Sequence, residues 1–195
     1  MSFYKRIMNK IKYEALKRFK PELIGYQKDF SGRKVIGLRI SNTSHISNRS
    51  NVQLGNHVFV GHFNYVDGFE KVSIGAGCQI TNYVSILTHS SHDSIRLYGE
   101  YYTEYWSKNM KGLVHAPVEI GDYCFLGPHS VIMPGTILGK GCIVGAFSFV
   151  SGKFDDYSII RGIPAKVVGS NKEKDETFLE ENPELKNLYF DKSLD

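Results

Sequence analysis

Residues 118–150 read VEIGDYCFLGPHSVIMPGTILGKGCIVGAFSFV, and an aliphatic residue returns in this stretch at every sixth position. The same spacing extends back to Leu54, with one step of eight residues and one long break. A period of six fits neither an ordinary helix nor an ordinary strand, so the stretch is an internal repeat. The aliphatic positions, in chain order, are Leu54, Val60, Val66, Ile74, Ile80, Ile86, Ile120, Leu126, Ile132, Leu138, Val144 and Val150.

Two further positions of each six-residue unit are restricted. The residue after the aliphatic is usually Gly, which suits a sharp corner that has no space for a side chain or needs an unusual φ. The residue two places before the next aliphatic is usually small, such as Cys78 or Ser130. One large and one small inward side chain per unit describe a triangular prism whose turns stack about 4.8 Å apart. The sequence therefore predicts an all-β solenoid, a parallel β-helix, over residues 54–169.

Composition limits the class of protein. The 195 residues are 42% hydrophobic and 23% charged, which suits one globular domain and excludes a disordered chain. No apolar run approaches the roughly 20 residues of a membrane-spanning helix, and the charged N-terminus lacks the apolar segment of a secretory signal. We therefore expect a cytoplasmic protein. In agreement, Cys78, Cys124 and Cys142 all occupy the small inward position, so we expect buried thiols rather than disulfide partners or nucleophiles.

The N-terminal segment, residues 1–21, predicts an amphipathic helix that Pro21 ends. Its other face is basic: residues 3–20 contain seven Lys and Arg and one Glu, a net charge of +6 against +4 for the whole chain. The helix could cover the open end of the prism or lie on an anionic membrane surface at the inner face of the membrane, and we favour the cover. No motif for binding nucleic acid accompanies the charge, so we expect no nucleic-acid partner. The apolar positions are Phe3, Tyr4, Ile7, Met8, Ile11, Ala15, Leu16 and Phe19.

The chain outside the repeat divides into three further parts. Residues 22–53 lead into the prism, and Ile40, Ile46 and Val52-Gln53 within them look like a degenerate first coil. Residues 87–117 interrupt the repeat and must leave the prism as an extruded loop. Residues 170–195 form a tail, in which Glu176–Leu188 predicts a short helix interrupted near Pro183.

The segment that follows the last coil, residues 162–169, reads GIPAKVVG. Together with the repeat, this segment resembles the hexapeptide-repeat acyltransferases, in which a Gly-x-Pro-Ala-Lys/Arg-x-x-Gly segment closes the prism. The resemblance covers about half of the chain. It implies a left-handed β-helix, acetyl-CoA as acetyl donor, no metal ion, and a homotrimer with active sites between its subunits.

The extruded loop begins with Thr88-His89-Ser90-Ser91-His92-Asp93. A hydroxyl that attacks a thioester needs a general base, and histidine, with an ordinary pKa of about 6.5, suits that task. The resemblance implies a catalytic histidine a few residues beyond the last aliphatic of the coil, which favours His92. His89 would then orient its neighbour or contact the substrate, and Asp93 could hold the His92 imidazole.

Asn64 is the inward position that carries a polar amide, and a buried amide costs stability unless it is hydrogen-bonded. Sugar acetyltransferases of this family have an asparagine about one coil before the catalytic histidine. The resemblance therefore implies that Asn64 serves in the catalytic site by holding the acceptor, with Asp67 as a further candidate for contacting the substrate. The alternative is an asparagine that only stabilises a corner of the prism.

The candidate cofactor contacts come from alignment with the same family. It implies that the pantetheine arm of acetyl-CoA runs along the corners of the C-terminal coils, where Gly127, Ala146 and Ser151 match contacting positions. The 3′-phosphate would meet basic side chains. The candidates for that contact are Lys166, Arg161 and Lys153.

The extruded loop is rich in aromatic residues, whose faces suit stacking on sugar rings and equally suit packing against a neighbouring subunit. With Thr-His-x-x-His-Asp at residues 88–93, this lid resembles that of the O-acetyltransferases that modify surface polysaccharides. We therefore predict transfer of an acetyl group from acetyl-CoA to a saccharide hydroxyl. The alternative is N-acetylation of a nucleotide-linked amino sugar. The candidate acceptor contacts in the lid are Tyr98, Tyr102 and Trp106.

Two other classes of function use the same prism. The γ-class carbonic anhydrases bind zinc through histidines on adjacent faces, and His57 and His62 have a comparable spacing. These positions do not match that family's register, however, and no third ligand is evident. A scaffold without catalysis would leave the loop histidine and the closing segment unexplained. Metal analysis tests the first class, and acetyl-CoA binding tests the second.

Overall fold

The computed structural model describes residues 3–192, except for the side chains of Phe3 and residues 15–18. Three α-helices lie in this part of the chain: α1 (Phe3–Arg18), α2 (Ser94–Tyr98) and α3 (Lys172–Glu181). The strands are β1 (Leu23–Lys28), β2 (Lys34–Ser41), β3 (His45–Ile46), β4 (Val52–Leu54), β5 (Phe59–Val60), β6 (Tyr65–Val66), β7 (Val72–Ile74), β8 (Gln79–Ile80), β9 (Ser85–Ile86), β10 (His89–Ser90), β11 (Val114–His115), β12 (Val118–Ile120), β13 (Phe125–Leu126), β14 (Val131–Ile132), β15 (Ile137–Leu138), β16 (Ile143–Val144), β17 (Phe149–Val150), β18 (Lys153–Phe154), β19 (Ser158–Gly162) and β20 (Ala165–Ser170).

The strands form the three faces of a parallel β-helix, as the repeat predicts. Face A stacks β1-β2-β5-β8-β13-β16-β19-β20, face B stacks β3-β6-β9-β14-β17, and face C stacks β4-β7-β12-β15-β18. Stacked strands are parallel except at the two ends of face A, where β1 pairs antiparallel with β2 and β19 pairs antiparallel with β20. The chain runs from face A to face B to face C in every turn.

The core of the prism includes all of the predicted aliphatic positions, which stack in register. On face A, Val60 pairs with Ile80, Ile80 with Leu126, and Leu126 with Val144, and all four are fully buried. Burial of each such side chain contributes about 1.5–3 kcal/mol relative to exposure. Cys78, Cys124 and Cys142 are free and buried, as predicted.

The corners between faces explain why glycine recurs at one position of the repeat. A Cβ on Gly127 would lie 2.6 Å from Ala146 N of the next coil, so the coils approach too closely for a side chain. The positive φ falls instead two residues later, at His129 (φ 60). The A–B corner comprises residues 61–64, 81–84, 127–130 and 145–148; the B–C corner, residues 67–71, 87–117, 133–136 and 151–152; and the C–A corner, residues 55–58, 75–78, 121–124, 139–142 and 155–157.

The lead-in and the tail depart in part from the sequence prediction. The degenerate first coil is present, since Ile40 and Ile46 pair with Val60 and Val66 of the next coil. The β1–β2 hairpin that precedes it was not predicted. Helix α3 begins at Lys172 rather than at Glu176 and ends at Glu181, after which a 3-10 turn spans Pro183–Leu185.

The predicted N-terminal helix is present as α1, but it does not cover the end of the prism through its described side chains. Tyr4, Ile7 and Ile11 on its apolar face are exposed. The expectation that this face packs over the open end of the prism is therefore wrong for these side chains. The predicted apolar positions Phe3, Ala15 and Leu16 lie outside the described side chains. Within residues 3–192, no helix combines the length and the apolar character needed to cross a bilayer.

Candidate active site

The extruded loop leaves the prism at the B–C corner, directly after β9. A short antiparallel ladder of β10 and β11 ties its two ends together and sets His89 opposite His115. The N–H of Ala116 donates a hydrogen bond to Thr88 O at 3.0 Å, which extends this ladder toward the prism. The loop is therefore a closed excursion whose root holds two histidines side by side.

His89 forms a hydrogen bond with the buried carboxylate of Asp67, with Nδ1 2.5 Å from Oδ2. The two residues meet because Asp67 follows β6, His89 follows Thr88 at the end of β9, and β6 stacks on β9. A carboxylate only accepts, so Nδ1 is the protonated nitrogen and donates this bond. In the neutral ring Nε2 is then unprotonated and can accept a proton.

Asp67 is held in its ionised form by its surroundings. Burial alone would raise its pKa, but hydrogen bonds from His89, from the N–H and hydroxyl of Thr88, and from the N–H of Phe69 hold the pKa below its ordinary value. The Thr88 N–H and hydroxyl lie 3.1 Å and 2.9 Å from Oδ2, and Phe69 N lies 3.0 Å from Oδ1. A fixed negative charge therefore faces the His89 ring and holds Nδ1 as the hydrogen-bond donor.

Aromatic rings form one wall beside His89. The Phe69 ring centroid lies 4.4 Å from that of His89 and 6.1 Å from that of Trp106, which meets Phe69 edge to face. Tyr102 packs against Trp106 at 5.7 Å. Two residues of the predicted lid, Trp106 and Tyr102, are thus connected to His89 through Phe69.

Tyr98, the third lid residue named from the sequence, lies in the packing of the loop itself. Its ring centroid is 5.9 Å from that of Tyr105. Its hydroxyl accepts a hydrogen bond from Lys111 N at 3.1 Å. These contacts hold the loop together and do not reach His89.

A second charged group, which the sequence did not reveal, lies next to the first. Glu70 Oε1 is 3.0 Å from Lys108 Nζ and 3.1 Å from His115 Nδ1. The hydrogen bond from Lys108 lowers the pKa of Glu70, and the charge of His115 acts in the same direction. Phe69 and Glu70 could have been suspected, because the eight-residue step from Val66 to Ile74 adds residues at this corner. No comparable signal pointed to Lys108 or His115.

The predicted base, His92, lies near its predicted partner Asp93, but its side chain is largely exposed to solvent. Its Nε2 lies 3.5 Å from Asp93 Oδ2, and its Nδ1 lies 2.8 Å from Ser90 Oγ. Asp93 also forms an ion pair with Arg96. The His92 side chain is 60% exposed, against 31% for His89. The geometry therefore orients His89 more firmly than His92.

Asn64 lies at the opposite end of β6 from Asp67, in the A–B corner. Its buried amide donates from Nδ2 to Thr81 O and accepts at Oδ1 from Val84 N, both at 2.7 Å. These bonds join two coils, as the corner-stabilising alternative expects. The role of Asn64 in holding an acceptor stays a prediction.

Four of the predicted cofactor contacts lie in one region. Gly127 and Ala146 stack at the A–B corner, and a Cβ on neighbouring Gly145 would lie 3.0 Å from Arg161 Cβ of the following coil. Arg161 pairs across the β19–β20 hairpin with Lys166. This column therefore ends in two exposed cations, a composition that suits a phosphate.

The other two predicted cofactor contacts lie one face away. Ser151 is in the B–C corner, and Lys153 begins β18 on face C. His89 is also at the B–C corner. Within one chain, the Gly127 column (Gly127, Ala146, Arg161 and Lys166) and the His89–Asp67 pair therefore lie on opposite edges of face B.

The histidines considered for zinc do not converge. His57 is in the C–A corner and His62 in the A–B corner, at opposite ends of β5. His62 Nδ1 lies 2.6 Å from Ser41 Oγ. Across the part of the chain that the structure describes, no three His, Cys, Asp or Glu side chains form a group that could hold a metal ion.

Comparison with known proteins gives a family for this arrangement. Residues 117–152 match the family model "Bacterial transferase hexapeptide (six repeats)". The chain is similar to the putative lipopolysaccharide biosynthesis O-acetyl transferase WbbJ of Escherichia coli K12, with 31% identity over 133 residues that cover 68% of the chain and 65% of the relative.

Solved structures share the fold. A galactoside acetyltransferase in complex with coenzyme A superposes with a TM-score of 0.56 at 24% identity, covering 68% of this chain and 62% of that one. AntD, an N-acyltransferase from Bacillus cereus in complex with dTDP and 3-hydroxybutyryl-CoA, superposes with a TM-score of 0.61 at 21% identity over 90% and 96% of the two chains.

The chain spans between 56% and 65% of the length of the first three curated relatives that it matches. The family model matches the C-terminal part of the repeat, residues 117–152. The six-residue period and the stacked coils agree with these matches: residues 117–152 carry the hexapeptide repeat of the bacterial transferases, and the chain is similar to acetyltransferases.

Proposed function

We propose that the protein transfers an acetyl group from acetyl-CoA to a hydroxyl of a saccharide, with a surface polysaccharide or its precursor as the acceptor. The observation that carries the proposal is the His89–Asp67 pair at the root of the extruded loop, with a nitrogen–oxygen distance of 2.5 Å. The printed name of the relative WbbJ, an O-acetyl transferase of lipopolysaccharide biosynthesis, supports the acceptor class. Since acetyl-CoA is an intracellular metabolite, the reaction belongs in the cytoplasm.

His89 is the general base in this proposal, in place of the His92 that the sequence favours. Its Nε2 takes the proton of the acceptor hydroxyl while the hydroxyl oxygen attacks the thioester carbonyl. The tetrahedral intermediate then expels the CoA thiolate, and Nε2 donates to the thiolate the proton that it took from the acceptor hydroxyl. The acetyl group passes directly to the acceptor, and Asp67 stabilises the imidazolium that forms between the two proton transfers.

The aromatic wall gives the acceptor a place beside the base. The exposed ring of Trp106 suits the apolar side of a sugar ring, and the charged Glu70–Lys108–His115 group offers hydrogen-bonding partners to its hydroxyls. The cations Arg161 and Lys166 suit the phosphate end of CoA.

We also propose that the working site forms between the subunits of a homotrimer. In one chain the Gly127 column and the His89–Asp67 pair lie on different corners, so neither corner alone holds both the donor and the base. A second copy that brings its A–B corner to the B–C corner of the first would unite them.

The test compares three histidine variants with the unchanged protein. Release of CoA thiol from acetyl-CoA is followed with a panel of saccharides that includes hydroxyl-only sugars and amino sugars. His89→Ala should lower kcat by about 10²–10⁴-fold, the usual contribution of a positioned base. His92→Ala should change kcat by less than about tenfold, because the ring is 60% exposed and neither of its partners, Ser90 and Asp93, is buried. His115→Ala should act mainly on KM for the acceptor.

Each alternative predicts a different pattern in the same assay. A collapse of turnover in His92→Ala with near-normal turnover in His89→Ala would return the base to His92. Transfer only to amino sugars would identify an N-acetyltransferase. Absence of acetyl-CoA binding would favour a scaffold, and activity lost with removal of zinc would favour the metal enzyme.

A further inference from the structure

Helix α1 presents an apolar face to the surroundings. Tyr4, Ile7 and Ile11 are spaced so that they share one side of the helix, and their exposed fractions are 72%, 43% and 56%. Phe19, directly after the helix, is exposed as well. Large apolar side chains that stay in water in one contiguous group mark an interaction surface.

The same segment concentrates positive charge. Residues 3–20 carry a net charge of +6, whereas the whole chain carries +4, so the remaining residues together carry −2. Lys5, Arg6, Lys10, Lys12 and Lys20 are exposed. The partner of this surface must therefore accept apolar side chains and cations together.

We propose that α1 lies on the surface of an anionic lipid bilayer. Its apolar face would enter the boundary between headgroups and acyl chains, where such helices bind. Its lysines and arginines would face the anionic headgroups, and each contributes to the attraction within a Debye length of the surface.

A second copy of the chain fits the helix less well. Packing α1 against the α1 of other subunits would cover the apolar face, but it would bring segments of +6 together and repel them. A polyanion in solution would pair the charges and leave Tyr4, Ile7 and Ile11 in water. A bilayer satisfies both requirements at once.

The experiment uses the full chain and sedimented vesicles. One set contains phosphatidylglycerol and phosphatidylcholine in about a one-to-two ratio, and the other contains phosphatidylcholine alone. The protein should sediment with the anionic vesicles at low salt, bind at least about tenfold more weakly to the neutral ones, and be released by high salt.

Two variants test whether the apolar side chains of α1 contribute to vesicle binding more than an exposed apolar residue elsewhere does. Ile7→Glu combined with Ile11→Glu should weaken binding to the anionic vesicles by at least about tenfold. Both side chains are exposed, so the fold and the mass of the particle should not change. Leu97→Glu, a matched change of an exposed apolar residue in the extruded loop, should bind as the unchanged protein does.

Three results would overturn the proposal. The first is failure of the unchanged protein to bind the anionic vesicles. The second is equal binding by the double variant and the unchanged protein. The third is a fall in the mass of the assembly in the double variant with vesicle binding retained, which would assign the apolar face of α1 to contact between subunits.

Discussion

Asp67 and His89 show how stacking of coils creates a contact that the sequence alone does not display. They are 22 residues apart, yet each occupies the B–C corner of its own coil, one above the other. Counting forward from Ile86 favours His92 because that count considers only the loop. The carboxylate that orients His89 lies in the previous coil, and the stacking of β6 on β9 brings the two together.

Replacing Asp67 by Asn should remove a pH-dependent contribution to stability. The folded-state pKa of Asp67 lies below the ordinary value of 3.8, so its contribution is complete at neutral pH and is lost as the pH falls through the folded-state pKa. Asp67→Asn should lower the free energy of unfolding by about 1–3 kcal/mol at neutral pH. The difference should shrink in acid below the ordinary value.

Denaturant unfolding at a series of pH values measures both quantities. Asp93→Asn is the matched control, because Asp93 is partly exposed and its ion pair with Arg96 is at the surface, where such pairs contribute little. Parallel stability curves for Asp67→Asn and the unchanged protein would show that Asp67 is not an ionised partner of His89.

The corner is the element that fixes the spacing between coils. The A–B and C–A corners turn the chain from one face of the prism to the next, and the glycine that opens most of them lies against the next coil. At Gly121 an added Cβ would lie 2.6 Å from Lys140 N and 2.7 Å from Gly139 C. The three nearest atoms are all backbone atoms of the next coil, so no flexible side chain can move away.

Gly121→Ala should therefore force two coils apart. We expect a loss of about 1–3 kcal/mol in the free energy of unfolding, the usual cost of overpacking. Gly25→Ala in β1 is the control, since no atom lies within 4 Å of its added Cβ. Thermal unfolding of both variants checks this prediction. A Gly121→Ala protein as stable as Gly25→Ala would mean that the coils are not closely stacked at this corner.

The elements that sequence reasoning recovered are those with a periodic pattern, the coils of the prism and helix α1. Ile80, Leu126 and Val144 could be assigned to one face because each lies at a fixed offset from the last and each must be buried. The β10–β11 ladder could not, because His115 is paired by the path of a loop that occurs once. The same holds for the β1–β2 hairpin, whose strands have no counterpart elsewhere in the chain. Local pattern identifies a periodic core, whereas single excursions depend on tertiary contacts.

Among the described residues, two corners carry aromatic residues in equivalent positions, and the last ring of the C–A corner is covered whereas the last ring of the A–B corner is not. Phe63, Tyr83, His129 and Phe147 form a ladder at the A–B corner, with successive ring centroids 5.1, 4.8 and 4.8 Å apart. At the C–A corner the chain's own Phe190 packs near Tyr157. Tyr157 is 5% exposed, whereas Phe147 at the equivalent place is 65% exposed. The ladder is therefore a surface that assembly would bury.

The proposed homotrimer should have three times the mass of one chain of 22.1 kDa, about 66 kDa, in sedimentation equilibrium at working concentration. Phe147→Glu would place a charge in the ladder and should shift the mass toward that of one chain while circular dichroism is retained. Leu188→Glu, an exposed apolar residue in the C-terminal segment, should leave the mass unchanged. A mass near 22 kDa for the unchanged protein would contradict the trimer.

The two hairpins at the ends of face A limit how the solenoid can grow. A second solenoid that added end to end would have to continue parallel stacking on all three faces at once. At face A it would meet β1 or β20, whose backbone direction is reversed relative to the coils beneath. Faces B and C would still call for parallel strands, so one incoming coil cannot satisfy all three edges. The chain therefore resists the head-to-tail polymerisation to which open solenoid edges are prone, and concentrated protein should remain as discrete particles rather than fibrils.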